Sequence, residues 1–255
     1  MAVRLRLATG TVAALALLTS STHVPRLAPP EPPTDPGTVV LQLKEWRSLV
    51  GPPEWARIPE VTLLGGGRLI IPDGQAGALQ RATEITLSPD RYRQLYRLAH
   101  HAGLDQDRYL STPIVATDGS LLVVTLRSGR RTYTTKVVTP GGTDSGPRGR
   151  VVRFRQLLST VIASAPAAPY RPATHVALAT GGFGTAQGRT AARQWPSGDL
   201  TTGQGVVQGL CTPLTTLPAG LTGTAQWISG DQHVWVTVRP LLPHERTCAD
   251  LEQGP

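Results

Sequence analysis

From Thr38 onward, apolar and polar positions follow two different periods, and the switches between them mark out the elements. Val40, Leu43 and Trp46 interleave loosely with polar residues and predict a strand over Thr38–Trp46. Val61–Leu64 and Arg68–Ile71 are β-prone runs flanking Gly65, Gly66 and Gly67, which supply the positive φ angles of a hairpin turn; Pro72 is read as the end of that pairing. Ser120–Leu126 and Thr132–Val138, rich in β-branched residues, surround Arg127, Ser128 and Gly129 and predict a second hairpin. Helical spacing takes over twice. Ser88 is an N-cap before Pro89 and Asp90, Tyr92, Leu95, Ala99 and Ala102 recur along one face, and Gly103 closes the helix. Val151, Phe154, Leu158 and Val161 predict a second helix over Arg150–Ala163 with one apolar stripe. The order strand, hairpin, helix, hairpin, helix defines an α+β domain: an antiparallel sheet with two packed helices.

A spacer around Pro166 and Pro169 separates this domain from a β-rich unit. There Thr174–Thr180, Gly205–Cys211 and His233–Arg239 read as strands, and Thr212–Leu221 as a turn or short helix. Trp195, Trp227 and Trp235 are read as aromatic cover. Trp227 and Trp235 could stack on a sugar ring, but tryptophans in a small linked unit belong more often to its core. The predicted organisation is a signal peptide over 1–21, a Pro-rich spacer over 22–37, an N-terminal α+β domain over 38–165 and a C-terminal β-rich unit over 170–252.

The leader sets the compartment. Arg4 and Arg6 precede a weakly polar run, Leu7 to Leu18, followed by Thr19, Ser20 and Ser21. That run is too short for a bilayer span of roughly 20 residues and suits a cleaved export signal. Neither cysteine lies beside it, so no lipid-anchor box is present, and the expectation is a protein released outside the cell or associated with its wall, with no transmembrane segment once the leader is removed. Cys211 and Cys248 are the only cysteines. In an exported chain such a pair predicts one disulfide, worth about 4 kcal/mol by the chain-entropy model. A zinc or redox reading lacks a Cys-x-x-Cys spacing, so neither metal nor cofactor is expected.

Of the 25 basic residues only Lys44 and Lys136 are lysines, and asparagine is absent, which fits a GC-rich genome; the formal charge is +8. Such an excess attracts anionic partners, here an envelope polymer or a lipid surface, while no basic run marks specific nucleic-acid binding. Asp144-Ser145-Gly146 invites protease readings, but Thr143 and Pro147 replace glycines of the serine-protease motif, and Asp118, in an Asp-Gly turn, is no match for a second aspartic-protease carboxylate. It is read as a loop in which Asp144 or Ser145 caps the following helix. His100 and His101, neighbours in a last helical turn, are read as structural. Arg148, Arg150, Arg153 and Arg155 pose a question, since cations in the first turns oppose the helix dipole by roughly 0.3–1 kcal/mol each. Two answers are open: an intramolecular carboxylate, or a bound anion held by a surface of Arg148, Arg150, Arg153, Arg130 and Arg131.

Arg239-Pro240-Leu241-Leu242-Pro243-His244-Glu245-Arg246-Thr247-Cys248 resembles the terminal signature of a group of exported actinobacterial proteins without assigned function. The glycine-turn hairpin Val61–Ile71, the helix Ser88–Leu104 and the Trp195-Pro196 element are similar to that group's other motifs. The resemblance brings no catalytic residue with it. Gly-x-Ser-x-Gly, His-Glu-x-x-His and paired-carboxylate motifs are all missing, so the sequence points to a secreted or envelope-associated, non-catalytic binding module. The alternatives are an extracellular hydrolase and a secreted protease inhibitor presenting Arg148 or Arg150 on the loop Thr139–Arg150.

Overall fold

The alternation after Thr38 forms strand β1 (Val39–Trp46), and its two faces meet different surroundings. Leu41 and Leu43 enter a hydrophobic core, while Gln42 and Lys44, on the opposite face as the period of two requires, line a polar cleft. The computed structural model describes residues 30–46, 56–111, 119–141, 144–185, 193–206, 209–223 and 225–251, with the backbone alone for 182–185. The leader 1–21, the first half of the spacer (22–29), Asp118 and Thr143 lie outside the described residues.

The glycine hairpin forms β2 (Val61–Leu64) and β3 (Arg68–Ala76). Gly66 and Gly67 adopt φ values of 74° and 87°. Gly65 is needed for a different reason: a Cβ there would stand 2.0 Å from the Asp35 carbonyl oxygen. Pro72 does not end the pairing, contrary to the sequence reading. β3 runs past it, opposite Ala82 of β4 (Leu79–Thr86), and a register shift between Pro72 and Gln75 absorbs the missing N–H.

Helix α1 (Pro89–His101) follows, with the Ser88 side chain accepting from the Arg91 N–H. Then come β5 (Arg108–Leu110), the hairpin β6 (Leu121–Ser128) and β7 (Arg131–Val138), and α2 (Gly146–Ala163). α2 starts one turn earlier than the apolar stripe alone indicates, because Pro147 is preset for a first helical turn. The Pro-rich spacer after it contributes a short strand, β8 (Ala167–Pro169), paired with β4.

The C-terminal segment adds β9 (His175–Thr185), β10 (Arg193–Gln194), β11 (Gln204–Val206), β12 (Gly209–Leu214), β13 (Gln226–Ser229) and β14 (Gln232–Pro240). All the described strands join one sheet, in the order β11-β12-β9-β14-β4-β3-β2-β1-β6-β7-β5, with β8 on β4 and β13 and β10 beside β14. The sheet is mixed rather than antiparallel: β14 runs parallel to β4, β5 to β7 and β10 to β13. Hairpins are encoded by neighbours in sequence, whereas these parallel contacts are made by segments returning from elsewhere.

Both helices pack on one face. Tyr92, Leu95, Tyr96 and Ala99 of α1 and Val151, Phe154 and Leu158 of α2 share a core with Leu41, Leu43, Leu63, Leu69, Ile85, Leu122, Val124 and Leu126 of the sheet. Each buried aliphatic or aromatic side chain contributes about 1.5–3 kcal/mol against exposure. On the other face Ile58, Leu64, Ile70 and Ala82 are covered by Leu242, from the segment that follows β14. Trp195 and Trp227 are core residues in edge-to-face contact at 5.3 Å, while Trp235 is half exposed. Cys211 on β12 and Cys248, in a final 3-10 turn, form the disulfide and are both buried.

Candidate functional site

The arginines singled out in the sequence meet different surroundings. Arg148 folds back onto its own helix start: its guanidinium donates to both Asp144 carboxylate oxygens and to the carbonyls of Leu110, Ser111, Val138 and Thr139. Arg155 donates to Glu45 and Glu60. Intramolecular carboxylates therefore offset the cations that oppose the dipole of α2. Asp144 is the partner of Arg148 rather than a helix cap, and it also accepts from the Gly141 N–H; Ser145 occupies the cap position without a side-chain hydrogen bond. Burial raises the Asp144 pKa, but the Gly141 N–H and Arg148 together bring it below the usual carboxylate value. Arg131 pairs with Asp107 and lies over the Tyr133 ring. Arg130, Arg150 and Arg153 are exposed. Arg148 and Arg150 both belong to α2, so neither is presented on an extended loop.

A different group of residues builds a polar site. On the face opposite the helices, Gln42 and Lys44 of β1 and Thr125 and Arg127 of β6 look onto a cleft of about 590 Å³ whose far wall carries Arg239, His244, Glu245 and Asp250. Gln42 donates to Thr62 on β2 and is fixed there. The far wall is the stretch Arg239–Leu251, and its structure explains its composition. Arg239, almost fully buried at the end of β14, donates to Glu245 and to the carbonyls of Pro240 and Arg57. Glu245 accepts in addition from the Leu242 N–H. Asp250 accepts from the N–H groups of Arg246 and Thr247, which holds its pKa below the usual value. The disulfide at Cys248 anchors the far end.

Lys44 borders more than one cavity. A second cavity of about 470 Å³ adjoins the first, and Lys44, Arg57 and Pro59 line both. Burial pushes the Lys44 pKa down, the Arg239 charge adds to that, and Glu245 opposes it. The His244 pKa is lowered by burial, and its Nδ1 is buried without a hydrogen-bond partner. Sequence reasoning assigned no role to Lys44, His244 or the Arg239–Glu245 pair. The available signals were a lysine at a strand position in a chain of arginines, and a charged residue near the end of β14, after the run Val234–Val238.

Among the described residues no group of three or more His, Cys, Asp or Glu side chains is arranged to hold a metal ion, and no helix is long and apolar enough to cross a membrane. No protein-family model, curated protein or solved structure matches this chain.

Proposed function

We propose that this protein is an exported, envelope-associated binding module, without catalytic function, that takes a small anionic group in the cleft around Lys44. The observation that carries this reading is the lining itself. Lys44 makes no ion pair with a described residue and faces a cavity shared with Arg57 and Arg127. The acids opposite are already committed, Glu245 to Arg239 and Leu242, and Asp250 to Arg246 and Thr247. A half-buried ammonium between walls of low polarizability attracts an anion more strongly than a solvated lysine does. Export is supported by the leader and by the disulfide, since such bonds persist in oxidising compartments. The exposed Arg150, Arg153 and Arg130 add a diffuse attraction toward acidic envelope polymers or lipid headgroups, and the resemblance to exported actinobacterial proteins agrees with that setting.

Equilibrium dialysis of the secreted protein against acetate and inorganic phosphate tests the reading. Saturable, salt-sensitive binding that Lys44→Met abolishes is expected. Binding unaffected by that substitution would place the anion elsewhere, and recovery of the chain solely from the cytoplasm would remove the exported role.

A further inference from the structure

The cleft opens onto a part of the sheet that lies beyond its far wall. Leu242 closes the face opposite the helices over Leu64, Ile70 and Ala82, on β2, β3 and β4. Beyond β1 the same face continues across β6, β7 and β5. Register fixes what it presents there, because residues directly opposite one another on paired strands share a side. Lys44 pairs with Val123, Val123 with Lys136, and Lys136 with Tyr109, one row across four strands. Leu110 packs against the core under the helices, so its neighbour Tyr109 belongs to the other face. Two strand spacings place the backbones of Lys44 and Lys136 about 10 Å apart. An apolar row, Trp46, Leu121 and Val138, flanks this one on one side. Thr125 and Thr134, then Arg127 and Thr132, flank it on the other. The surface can be reached from solvent: Tyr109 is 67% and Trp46 44% exposed, Thr132 is exposed, and Lys136 is half-buried. Thr125, Arg127 and Thr132 also line the cleft, so the two surfaces are continuous.

Positive charge is in excess over the whole. Lys44, Arg57, Arg127 and Arg239 line the cleft against Glu245 and Asp250, and Lys136 adds to them on the open sheet. Arg239 and Glu245 pair with each other, and Asp250 accepts from two backbone N–H groups. Asp35 is close enough to Arg127 to feel its charge, but its carboxylate accepts from Thr38 and the Gly37 N–H. Glu45 points to the helix side and meets Arg155, while Asp107, beside β7, accepts from Arg131 and the Thr134 N–H. Neither Lys44 nor Lys136 makes an ion pair with a described residue.

We infer that the ligand is an acidic glycan, a chain of sugars bearing carboxylates, with one carboxylate at Lys44 and the chain running across β6 and β7 to Lys136 and Tyr109. The inference rests on the anion-binding reading of Lys44 and names the class of ligand that carries the anion. Two ammonium groups on backbones about 10 Å apart call for charge repeated along a chain, which a lone small anion lacks. The residues around them suit the sugars between the charges. Trp46 and Tyr109 offer amphipathic rings to the apolar side of a sugar. The hydroxyls of Thr132 and Thr134 both donate and accept, as sugar hydroxyls do. A neutral glycan would leave both lysines unused. The disulfide favours an oxidising compartment outside the cytoplasm, where surface glycans rather than nucleic acids are the polyanions at hand.

The test is isothermal titration calorimetry of the intact secreted protein with acetate, tetragalacturonate, maltotetraose and a short oligothymidylate. Tetragalacturonate is expected to bind at least about tenfold more tightly than acetate or maltotetraose, since it engages both lysines at once. Tyr109→Ala and Lys136→Gln should each weaken tetragalacturonate about five- to tenfold and leave acetate binding unchanged, and Lys44→Met should weaken both anions. Tetragalacturonate binding no tighter than acetate, or unmoved by both surface substitutions, while Lys44→Met still weakens acetate, would overturn the path across the sheet and leave the anion site standing. Failure of the parent to bind either acetate or tetragalacturonate would overturn both readings. Equal affinity for maltotetraose would overturn the acidic character of the glycan. Oligothymidylate binding as tightly as tetragalacturonate, with the same loss in Tyr109→Ala, would assign the surface to single-stranded nucleic acid instead. The comparison among the four probes needs no variant, so it decides the matter even if a substitution disturbs folding.

Discussion

Arg239 and Glu245 stand six positions apart and meet as a buried ion pair, their side chains only 2% and 7% exposed. The pair fixes the turn after β14 against the polar face of the sheet, and so forms the wall that faces Lys44. Removing one partner of such a pair strands the other as a buried charge. Arg239→Met should therefore cost about 3–5 kcal/mol in urea unfolding. The double variant Arg239→Met with Glu245→Leu should recover most of that loss, since well-packed apolar replacements are often neutral. A single variant as stable as the parent would show that the pair contributes nothing to the wall.

Arg148 and Arg150 should behave oppositely. Arg148→Ala removes donors from four carbonyls and from Asp144, and a loss of at least about 2 kcal/mol is expected by thermal or chemical unfolding. Arg150 is exposed, and Arg150→Ala should fall within roughly 0.5 kcal/mol of the parent. Equal effects of the two substitutions would contradict the clamp assigned to Arg148.

The bond between Cys211 and Cys248 ties the cleft's far wall to β12. Reducing it, or replacing both residues by alanine, should lower stability by about 2–5 kcal/mol. Anion affinity should fall with it, because the residues 239–251 then lose their anchor. Thermal melts with and without reductant, run beside the binding assay, check both parts. Unchanged affinity in a reduced, folded protein would show that Arg239 and Glu245 hold the wall unaided.

Much of the fold is legible because it is local. β1, the glycine hairpin, the second hairpin and α1 each announce themselves through period, turn residues and caps within a short window. β4 is harder to read, since the residues it buries are Gln80, Ala82 and Ile85, small or polar at two of three positions. β5 and β8 are three-residue edges whose pairing is decided by partners far along the chain. The site is not legible for the same reason. Lys44 and Glu245 act on each other only after folding, and the cationic run around Arg148 draws attention although the Arg148 charge is satisfied within the helix start.

The cleft should also respond to pH in a fixed direction. Lys44 titrates below the ordinary lysine value of 10.5, chiefly through burial; Glu245 opposes this, and Arg239 adds a smaller push in the same direction as burial. Its ammonium form binds the anion, so affinity is lost as pH rises through that lowered value. His244 faces the same cleft and is neutral down to below 6.5, so its protonation in more acidic solution adds attraction. For folding the sign is reversed: a lowered lysine pKa means the charged form is disfavoured in the native state, and Lys44→Met should leave the protein at least as stable as the parent at neutral pH. Affinity that rises with pH, or a destabilised Lys44→Met, would contradict this.

The chain's two lysines make the most direct measurement simple. Carbon-13 labelling at lysine Cε yields one signal from Lys44 and one from Lys136, which lies on β7 and outside the cleft. On addition of acetate or inorganic phosphate, the Lys44 signal should shift saturably while the Lys136 signal stays in place, and Lys44→Met should delete the responding signal. If neither signal moves, or both drift together with ionic strength, Lys44 is not the anion-binding group and the function proposed for the cleft falls.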